Sequence, residues 1–163
     1  MKIYIGTDHA GYVLKEALVG FLKAQGHEVI DEGAYTYDED DDYPDFISKV
    51  ARAVSEDVHD STKVRGIILG GTGQGEAIVA NRFPHVRAIV YYGKATPIVE
   101  AESGILHRSR EHNDANILSL GARYFTEADL AEIVNFWLNA PYSGGERHIR
   151  RLAKIDAIKI DSQ

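Results

Sequence analysis

The sequence contains no cysteine, and its single methionine is the first residue. Without cysteine the chain can form no disulfide, no thiolate metal site and no thiol nucleophile. It also has no apolar run long enough to span a membrane, and the stretch Met1–Asp8 is too short and too soon interrupted by charge for a signal peptide. These absences predict a cytoplasmic protein that has no membrane partner and uses no thiol chemistry.

The chain has 163 residues, of which 44% are hydrophobic and 26% charged, and its formal net charge is −7. This size and apolar content predict one domain, residues 1–163, that buries most of a core. The acidic balance argues against non-specific nucleic-acid binding, so no nucleic-acid partner is expected. It is still compatible with a local basic pocket for a small anion.

Strand-like and helix-like apolar spacings alternate along the chain. The predicted strands are Lys2–Thr7, His27–Ile30, Val64–Leu69, Val86–Tyr91 and Ile117–Leu120. The predicted helices are Tyr12–Gln25, Pro44–Glu56, Glu76–Asn81, Pro97–Leu106, Glu127–Leu138 and Arg147–Ile160. This order predicts an α/β fold, a three-layer doubly wound (Rossmann-like) sandwich with a five-stranded parallel sheet and an extended C-terminal helix.

Polar candidates follow three of the predicted strands. Asp8 and His9 follow the first strand, a glycine-rich loop follows the third, and Arg123 follows the fifth. Ligands of doubly wound sheets bind beyond the carboxyl ends of the strands. These groups are therefore predicted to lie together at that edge of the sheet.

The glycine-rich loop runs from Gly70 to Glu76 with the sequence Gly-Gly-Thr-Gly-Gln-Gly-Glu. Its glycines free the backbone N–H groups to face an anion, and a helix beginning at Glu76 adds its positive end. No Walker lysine follows, and Glu76 stands where the dinucleotide fingerprint has its third glycine. Oxyanion donors beside a carboxylate base suit proton abstraction next to a carbonyl. A purely structural strand-to-helix turn is the alternative.

Metal binding has two candidate sources in the sequence. The acidic run Asp38–Asp42 lacks the glycine and terminal glutamate spacing of an EF-hand, which favours a solvated loop. His107, His112 and His148 lack a compact ligand spacing, which argues against zinc. No metal and no cofactor are expected.

Four separated motifs resemble those of the type B ribose 5-phosphate isomerase and galactose 6-phosphate isomerase family, in the same order. They are Gly6–Gly11, Gly70–Gly75, Arg110–Asn116, and Gly144–His148 with Arg151. The resemblance covers about Met1 to Ile160. It implies a metal-independent aldose–ketose isomerase that acts on a phosphorylated sugar through a cis-enediol. Ribose 5-phosphate to ribulose 5-phosphate is the first choice, and a six-carbon substrate such as galactose 6-phosphate or allose 6-phosphate is the alternative.

The resemblance also implies a catalytic base. Many family members place a catalytic cysteine just before the Gly-Thr-Gly, where this chain has Gly70. The chain resembles instead the subgroup with a glutamate further along the loop, which matches Glu76. Glu76 would move the proton between carbons 1 and 2, and burial would raise its pKa. An ordinary carboxylate at a helix start is the alternative.

The same loop would bind the oxygens of the substrate. The backbone N–H groups of Gly71 to Gly75 would hold the oxyanion, which assigns Gly71, Gly73, Gln74 and Gly75 to the substrate. The Thr72 hydroxyl is available to hydrogen-bond a substrate oxygen, and an ordinary helix-capping threonine is the alternative.

Other roles follow from the resemblance. His112 resembles the ring-opening residue, assisted by Asp8, and Asn113 offers a donor and an acceptor to sugar hydroxyls. Arg147 and Arg151 lie four residues apart on one helix face and would bind the phosphate, with His9 and Arg123 completing the cage by resemblance. A surface histidine and a solvated basic helix face are the alternatives.

In the family these sites are assembled between two subunits. The expected partners are therefore a small-molecule sugar phosphate and a second copy of the chain, in a homodimer or a dimer of dimers with shared active sites. Aromatic residues near Tyr91, Tyr92, Phe136, Trp137 and Tyr142 fit an interface or a core equally well. The segment Tyr92 to Arg108 is longer than is usual in the family, which affects the prediction of the sugar.

Two other functions compete with an isomerase. A noncatalytic sugar-phosphate sensor would keep the arginines and the glycine loop but has no need of Glu76 and His112. A nucleotide-binding module is disfavoured by the missing third glycine and the missing Walker lysine.

Overall fold

The computed structural model describes residues 1–57, 63–93 and 104–158. Its strands are β1 (Lys2–Thr7), β2 (Glu28–Asp31), β3 (Val64–Gly70), β4 (Ala88–Tyr91) and β5 (Ile117–Gly121). The α-helices of these residues are α1 (Tyr12–Ala24), α2 (Pro44–Glu56), α3 (Gln74–Ala80), α4 (Ile105–Glu111), α5 (Glu127–Asn139) and α6 (Glu146–Asp156). The five strands form one parallel sheet, as the alternation of elements predicts.

The strand order of the sheet is β2-β1-β3-β5-β4. From β1 the chain moves outward to β2, and from β3 it moves to the opposite side, where β5 lies between β3 and β4. The direction of winding therefore changes between β1 and β3. Loops that leave the carboxyl ends of these two strands diverge, and the crevice between them is the usual ligand position of this class of fold.

Two apolar cores cover the two faces of the sheet. One core packs Leu18 and Leu22 of α1, Leu106 of α4 and Trp137 of α5 against the sheet. The other core packs α2 and α3 against the opposite face. All seven residues of β3 are buried because this strand is covered on both faces, which explains its unbroken apolar sequence.

The aromatic residues of α5 belong to the first core. Trp137 is fully buried, and Phe136 packs against the same cluster. The core interpretation of this aromatic excess is therefore correct for Trp137, and Phe136 is partly buried against the same core.

Most predicted elements agree with the structure to within two residues, but the helix predicted over Pro97–Leu106 has the wrong bounds: of its described residues, Ile105 and Leu106 are helical and Gly104 is not. Residues 97–103 lie outside the described residues. Gly104 is the extended N-cap of α4, which runs from Ile105 to Glu111. Helical periodicity alone did not locate the start of α4, because the apolar residues of this segment are compatible with a helix that begins earlier or later.

The helix after the glycine loop begins at Gln74 and not at Glu76. Gly73 adopts φ 74°, a left-handed conformation that turns the chain directly into the helix. Glu76 is therefore in the first turn of α3. None of the helices in the described part of the chain is long and apolar enough to cross a membrane.

Candidate active site

The carboxyl ends of β1, β3 and β5 meet at one edge of the sheet. Thr7 pairs with Leu69, and Gly70 pairs with Gly121, so the residues that follow these strands lie side by side. They are Asp8 and His9, the loop Gly71–Gly75, and Arg123. The structure thus brings together, at one edge of the sheet, the groups that are predicted to lie there.

Glu76 is buried at this edge, with 4% of its surface exposed. Its carboxylate lies against Gly70, and a Cβ built on Gly70 would overlap it. The Glu76 carboxylate therefore occupies the space that any side chain at position 70 would need. Burial raises the pKa of Glu76, and the negative charge of the nearby Asp8 raises it further. A buried carboxylate with a raised pKa is suited to accept a proton from carbon.

The glycine loop is clamped between β5 and α2. The Ser119 hydroxyl of β5 donates a hydrogen bond of 2.6 Å to the Gly73 carbonyl. A Cβ on Gly73 would come within 3.1 Å of the Leu120 carbonyl carbon, and its φ disfavours other residues as well. On the other side, the Tyr43 ring lies against Gly75. This clamp holds the first turn of α3, whose N–H groups have no partner within the helix, in a fixed orientation.

Two side chains of the loop face outward. Thr72 is exposed, and its hydroxyl oxygen accepts a long hydrogen bond of 3.4 Å from the Gln74 backbone N–H. The Gln74 side-chain amide donates to the phenol oxygen of Tyr92. Tyr92 in turn packs edge-to-face with Tyr124, with ring centroids 5.2 Å apart. The two tyrosines were not predicted at this edge, because only the fold brings the ends of β4 and β5 together.

Asp8 and His9 follow β1 in a short 3-10 turn. Asp8 is 6% exposed, accepts a hydrogen bond of 3.0 Å from the Ala10 N–H, and has its pKa raised by burial. The His9 ring Nδ1 lies 2.7 Å from Asp41 Oδ1, and this hydrogen bond raises the pKa of His9. The Arg123 guanidinium packs against Gly71, where a Cβ would lie 3.2 Å from its Cζ. Arg123 therefore presents a positive group beside the loop, next to His9, whose charged form is favoured by Asp41.

The acidic run Asp38–Asp42 was predicted to be a solvated loop, and this is wrong for Asp41. The other four residues are exposed, whereas only 8% of the Asp41 side chain is exposed. Its bond to His9 crosses 32 positions of sequence, so no local pattern could distinguish Asp41 from its acidic neighbours.

Among the described residues, Asp8, His9 and Asp41 are also the ones that come nearest to a metal site. Their potential ligand atoms all lie within 4.8 Å of one another. The His9 and Asp41 atoms, however, are in direct contact at 2.7 Å. Two ligands that each bind an ion at about 2.0–2.2 Å in tetrahedral geometry lie further apart than this. The arrangement fits a shared proton better than a metal ion.

A second cluster forms around His112. The His112 and His148 rings are stacked, with centroids 4.5 Å apart and an interplanar angle of 12°. The Arg147 Nε donates a hydrogen bond of 3.1 Å to His148 Nε2. Burial lowers the pKa of His148, and the charges of His112, Arg147 and Arg151 lower it further. Sequence reasoning did not assign His148 to the site, although it stands directly beside Arg147.

Asn113 lies beside this cluster in the turn before β5. Arg87 Nε donates to the carbonyl oxygens of Asn113 and Asp114, both at 3.0 Å. The Asp114 carboxylate joins Arg87 and Arg110, at 2.9 and 2.7 Å. Two arginines thus hold the turn that carries His112 and Asn113.

The His112 cluster and the Glu76 cluster lie at opposite edges of the sheet. His112 precedes β5, whereas Arg123 follows it. At the far end of α6, Asp156 lies 3.6 Å from His85, which precedes β4. A strand such as the seven-residue β3 spans about 20 Å. Within one chain, therefore, His112, Asn113, Arg147 and Arg151 do not reach the Glu76 carboxylate.

Comparison with known proteins places this geometry in a family. The sequence model of the family described as Ribose/Galactose Isomerase matches residues 3–155. The chain is 40% identical over 158 residues to ribose-5-phosphate isomerase B of Escherichia coli, covering 97% of this chain and 96% of the relative. It is also 40% identical over 153 residues to the protein of that name from Mycobacterium tuberculosis, covering 93% of this chain and 86% of the relative.

Solved structures agree. Ribose-5-phosphate isomerase B of Clostridium thermocellum superposes with a TM-score of 0.81 at 46% identity, covering 96% of this chain and 95% of the other. The enzyme of that name from Mycoplasma genitalium, crystallised with bound ribulose 5-phosphate, superposes with a TM-score of 0.82 at 35% identity, covering 95% and 93%. The predicted fold and the predicted family resemblance are both confirmed.

Proposed function

This chain belongs to the ribose/galactose isomerase family, and we propose that it interconverts ribose 5-phosphate and ribulose 5-phosphate through a cis-enediolate. The observation that carries the proposal is the buried Glu76 carboxylate, which lies against Gly70 beside a clamped glycine loop. A noncatalytic binding protein has no need of a buried carboxylate with a raised pKa beside oxyanion donors.

The reaction begins when the Glu76 carboxylate removes the proton from carbon 2 of the open-chain aldose. The electron pair of that bond forms the carbon–carbon double bond, and the carbonyl oxygen on carbon 1 becomes the enediolate oxygen. The N–H groups of the loop Gly71–Gly75 and the Thr72 hydroxyl stabilise this oxygen. Glu76 then returns its proton to carbon 1, and the proton of the hydroxyl on carbon 2 passes to the oxygen on carbon 1, which yields the ketose.

Ring opening and phosphate binding use the remaining groups. His112 shuttles a proton between the ring oxygen and the anomeric hydroxyl, and Asp8, whose pKa is raised by burial, assists. Asn113 binds sugar hydroxyls. The phosphate lies among the positive groups His9, Arg123, Arg147 and Arg151, because a dianion favours several forked or charged donors.

These roles require two copies of the chain. The Glu76 edge of one copy and the His112 edge of a second copy together supply every group, whereas one copy leaves them at opposite edges of the sheet. Large apolar side chains are exposed on helices near both edges, which supports contact there: Val13 and Ile78 beside the Glu76 edge, and Ile149 and Ile155 on α6. We therefore propose a homodimer, or a dimer of dimers, with shared active sites.

An assay of purified protein in deuterium oxide tests the reaction. We expect ribose 5-phosphate to give ribulose 5-phosphate carrying deuterium on carbon 1, since the proton on Glu76 exchanges with solvent during the enediolate's lifetime. Galactose 6-phosphate and allose 6-phosphate are run beside it. Faster turnover of a six-carbon sugar would contradict the proposed substrate, and no turnover of any of the three would contradict the isomerase.

Substitution of Gly70 by alanine tests the position of the base. The added methyl group must displace the Glu76 carboxylate. Displacing a reacting group by about 1 Å costs up to roughly a hundredfold in rate, so we expect kcat to fall by at least about tenfold. The matched control is Gly20→Ala in α1, where a Cβ meets no other atom within 4 Å. An unchanged kcat for Gly70→Ala would show that the base does not act from this position.

A further inference from the structure

We propose that Asp41 is a positioning residue that holds His9 as a two-sided hydrogen-bond donor directed at the phosphate of the substrate. This inference rests on the proposed function and adds to it a residue from the acidic loop before α2. It concerns substrate binding and not the proton transfer that Glu76 performs.

The geometry around Asp41 is specific. Its Oδ1 accepts a hydrogen bond of 3.0 Å from the His9 backbone N–H and lies 2.7 Å from the His9 ring Nδ1. Two bonds to one residue fix both the main chain and the ring of His9. Because an ionised carboxylate can only accept, the ring nitrogen that faces Asp41 carries a proton.

The protonation state of the opposite nitrogen then decides whether His9 can bind a phosphate. In the neutral ring, a proton on Nδ1 leaves Nε2 as an acceptor, which repels the oxygens of an anion. In the charged ring both nitrogens donate, and Nε2 can bond the phosphate while Nδ1 stays on Asp41. The hydrogen bond to Asp41 raises the pKa of His9 and so favours the charged ring.

Among the described residues, the charged groups that act on His9 include Asp41, Asp8 and Arg123, all at this edge. Asp8 raises the pKa of His9 in addition to Asp41, whereas Arg123 lowers it. The Tyr37 ring lies edge-on to His9, with centroids 6.4 Å apart. In the proposed dimer, Arg147 and Arg151 of the partner subunit add positive charge that also opposes protonation. The Asp41 carboxylate offsets these positive charges before the phosphate binds.

Asp41 differs from its neighbours in a second respect. Its Oδ2 is buried and has no hydrogen-bond partner among the described residues. Burying an incompletely paired carboxylate oxygen costs free energy. The solvated acidic residues of the same loop have no such cost. The cation beside it, His9, is the group that makes this burial tolerable.

Asp41→Asn tests the proposal, because asparagine keeps the size and can still accept from the His9 backbone N–H but carries no charge. At pH 7.5 we expect KM for ribose 5-phosphate to rise roughly tenfold or more, as for loss of a charge-assisted hydrogen bond, with kcat changed less than about threefold. The control is Asp40→Asn, which changes an exposed neighbour in the same loop and should leave KM unchanged.

The pH dependence of KM is a second test, because a residue with a merely structural role would not change it. His9 binds phosphate while it is protonated, so KM of the parent rises as pH increases through the raised pKa of His9. In Asp41→Asn the same rise should begin at lower pH, near the ordinary histidine value of about 6.5. In a His9→Asn background, Asp41→Asn should have little further effect on KM.

Titration of the His9 ring by NMR, with and without inorganic phosphate, requires no turnover. It therefore separates a failure of this proposal from a failure of the isomerase. The proposal is supported if Asp41→Asn lowers the His9 titration midpoint and weakens phosphate binding. It is overturned if the midpoint and the phosphate affinity are unchanged, or if kcat falls while KM does not.

Discussion

Glu76→Gln is expected to lower kcat for ribose 5-phosphate by about a thousandfold or more, which is within the range that general-base catalysis contributes. Glutamine has nearly the same size, so it should fill the space beside Gly70 and preserve the packing of α3. Its amide cannot accept the carbon-bound proton. Because N–H donors and phosphate ligands remain, KM should change far less than kcat.

The pH profile of the parent enzyme provides an independent check on this base. Burial raises the pKa of Glu76 above its ordinary value of 4.5, and the base must be ionised to act. Activity should therefore be lost as pH falls through the raised pKa, and the acidic limb of kcat should lie above pH 4.5. In Glu76→Gln this limb should disappear from the residual activity.

Controls separate catalysis from folding. Glu39→Gln changes an exposed carboxylate of the acidic loop and should retain parental kcat. Thermal unfolding of Glu76→Gln should be as cooperative as that of the parent, since no buried group loses its space. Full activity in Glu76→Gln would refute the assignment and direct attention to Asp8, another buried carboxylate at this edge.

Two inactive variants are expected to restore activity when they assemble together. Glu76→Gln removes a functional group at one edge of the sheet, and His112→Asn removes one at the other edge. In a mixed dimer, one active site therefore carries both substitutions and the other carries neither. With random assortment, half of the dimers are mixed and each has one intact site of two, which predicts about one quarter of the parental activity. Co-expression of two differently tagged chains and purification through both tags gives the mixed dimer directly.

The matched control pairs two defects at the same edge. Glu76→Gln and Asp8→Asn both act at the carboxyl ends of the strands, so each site of their mixed dimer keeps one defect. This pair should recover no activity. If the first pair also fails to recover while mixed dimers are isolated, the site is not shared between copies in the proposed way.

Much of this fold was predictable because its signals are local. The apolar run Val64–Leu69 indicates a strand covered on both faces, and Pro44 indicates the start of a helix, both of which the structure contains. The glycine loop indicates an anion site next to a carboxylate through its composition alone. The helix predicted over Pro97–Leu106 includes Ile105 and Leu106, which are helical, but α4 continues to Glu111, because periodicity alone does not fix where a short helix begins and ends.

The sequence by itself determined the fold class, the family and the residue types available for the chemistry, since these depend on periodicity, spacing and motif order along the chain. Only the tertiary structure decided which of those residues meet. It placed Glu76 against Gly70 and stacked His148 on His112, and it buried Asp41 against His9 while leaving the neighbouring acids in water. It also put the Glu76 cluster and the His112 cluster at opposite edges of one sheet. The physical reason is that a contact across many positions of sequence depends on strand order and loop closure, which no local pattern of residues encodes.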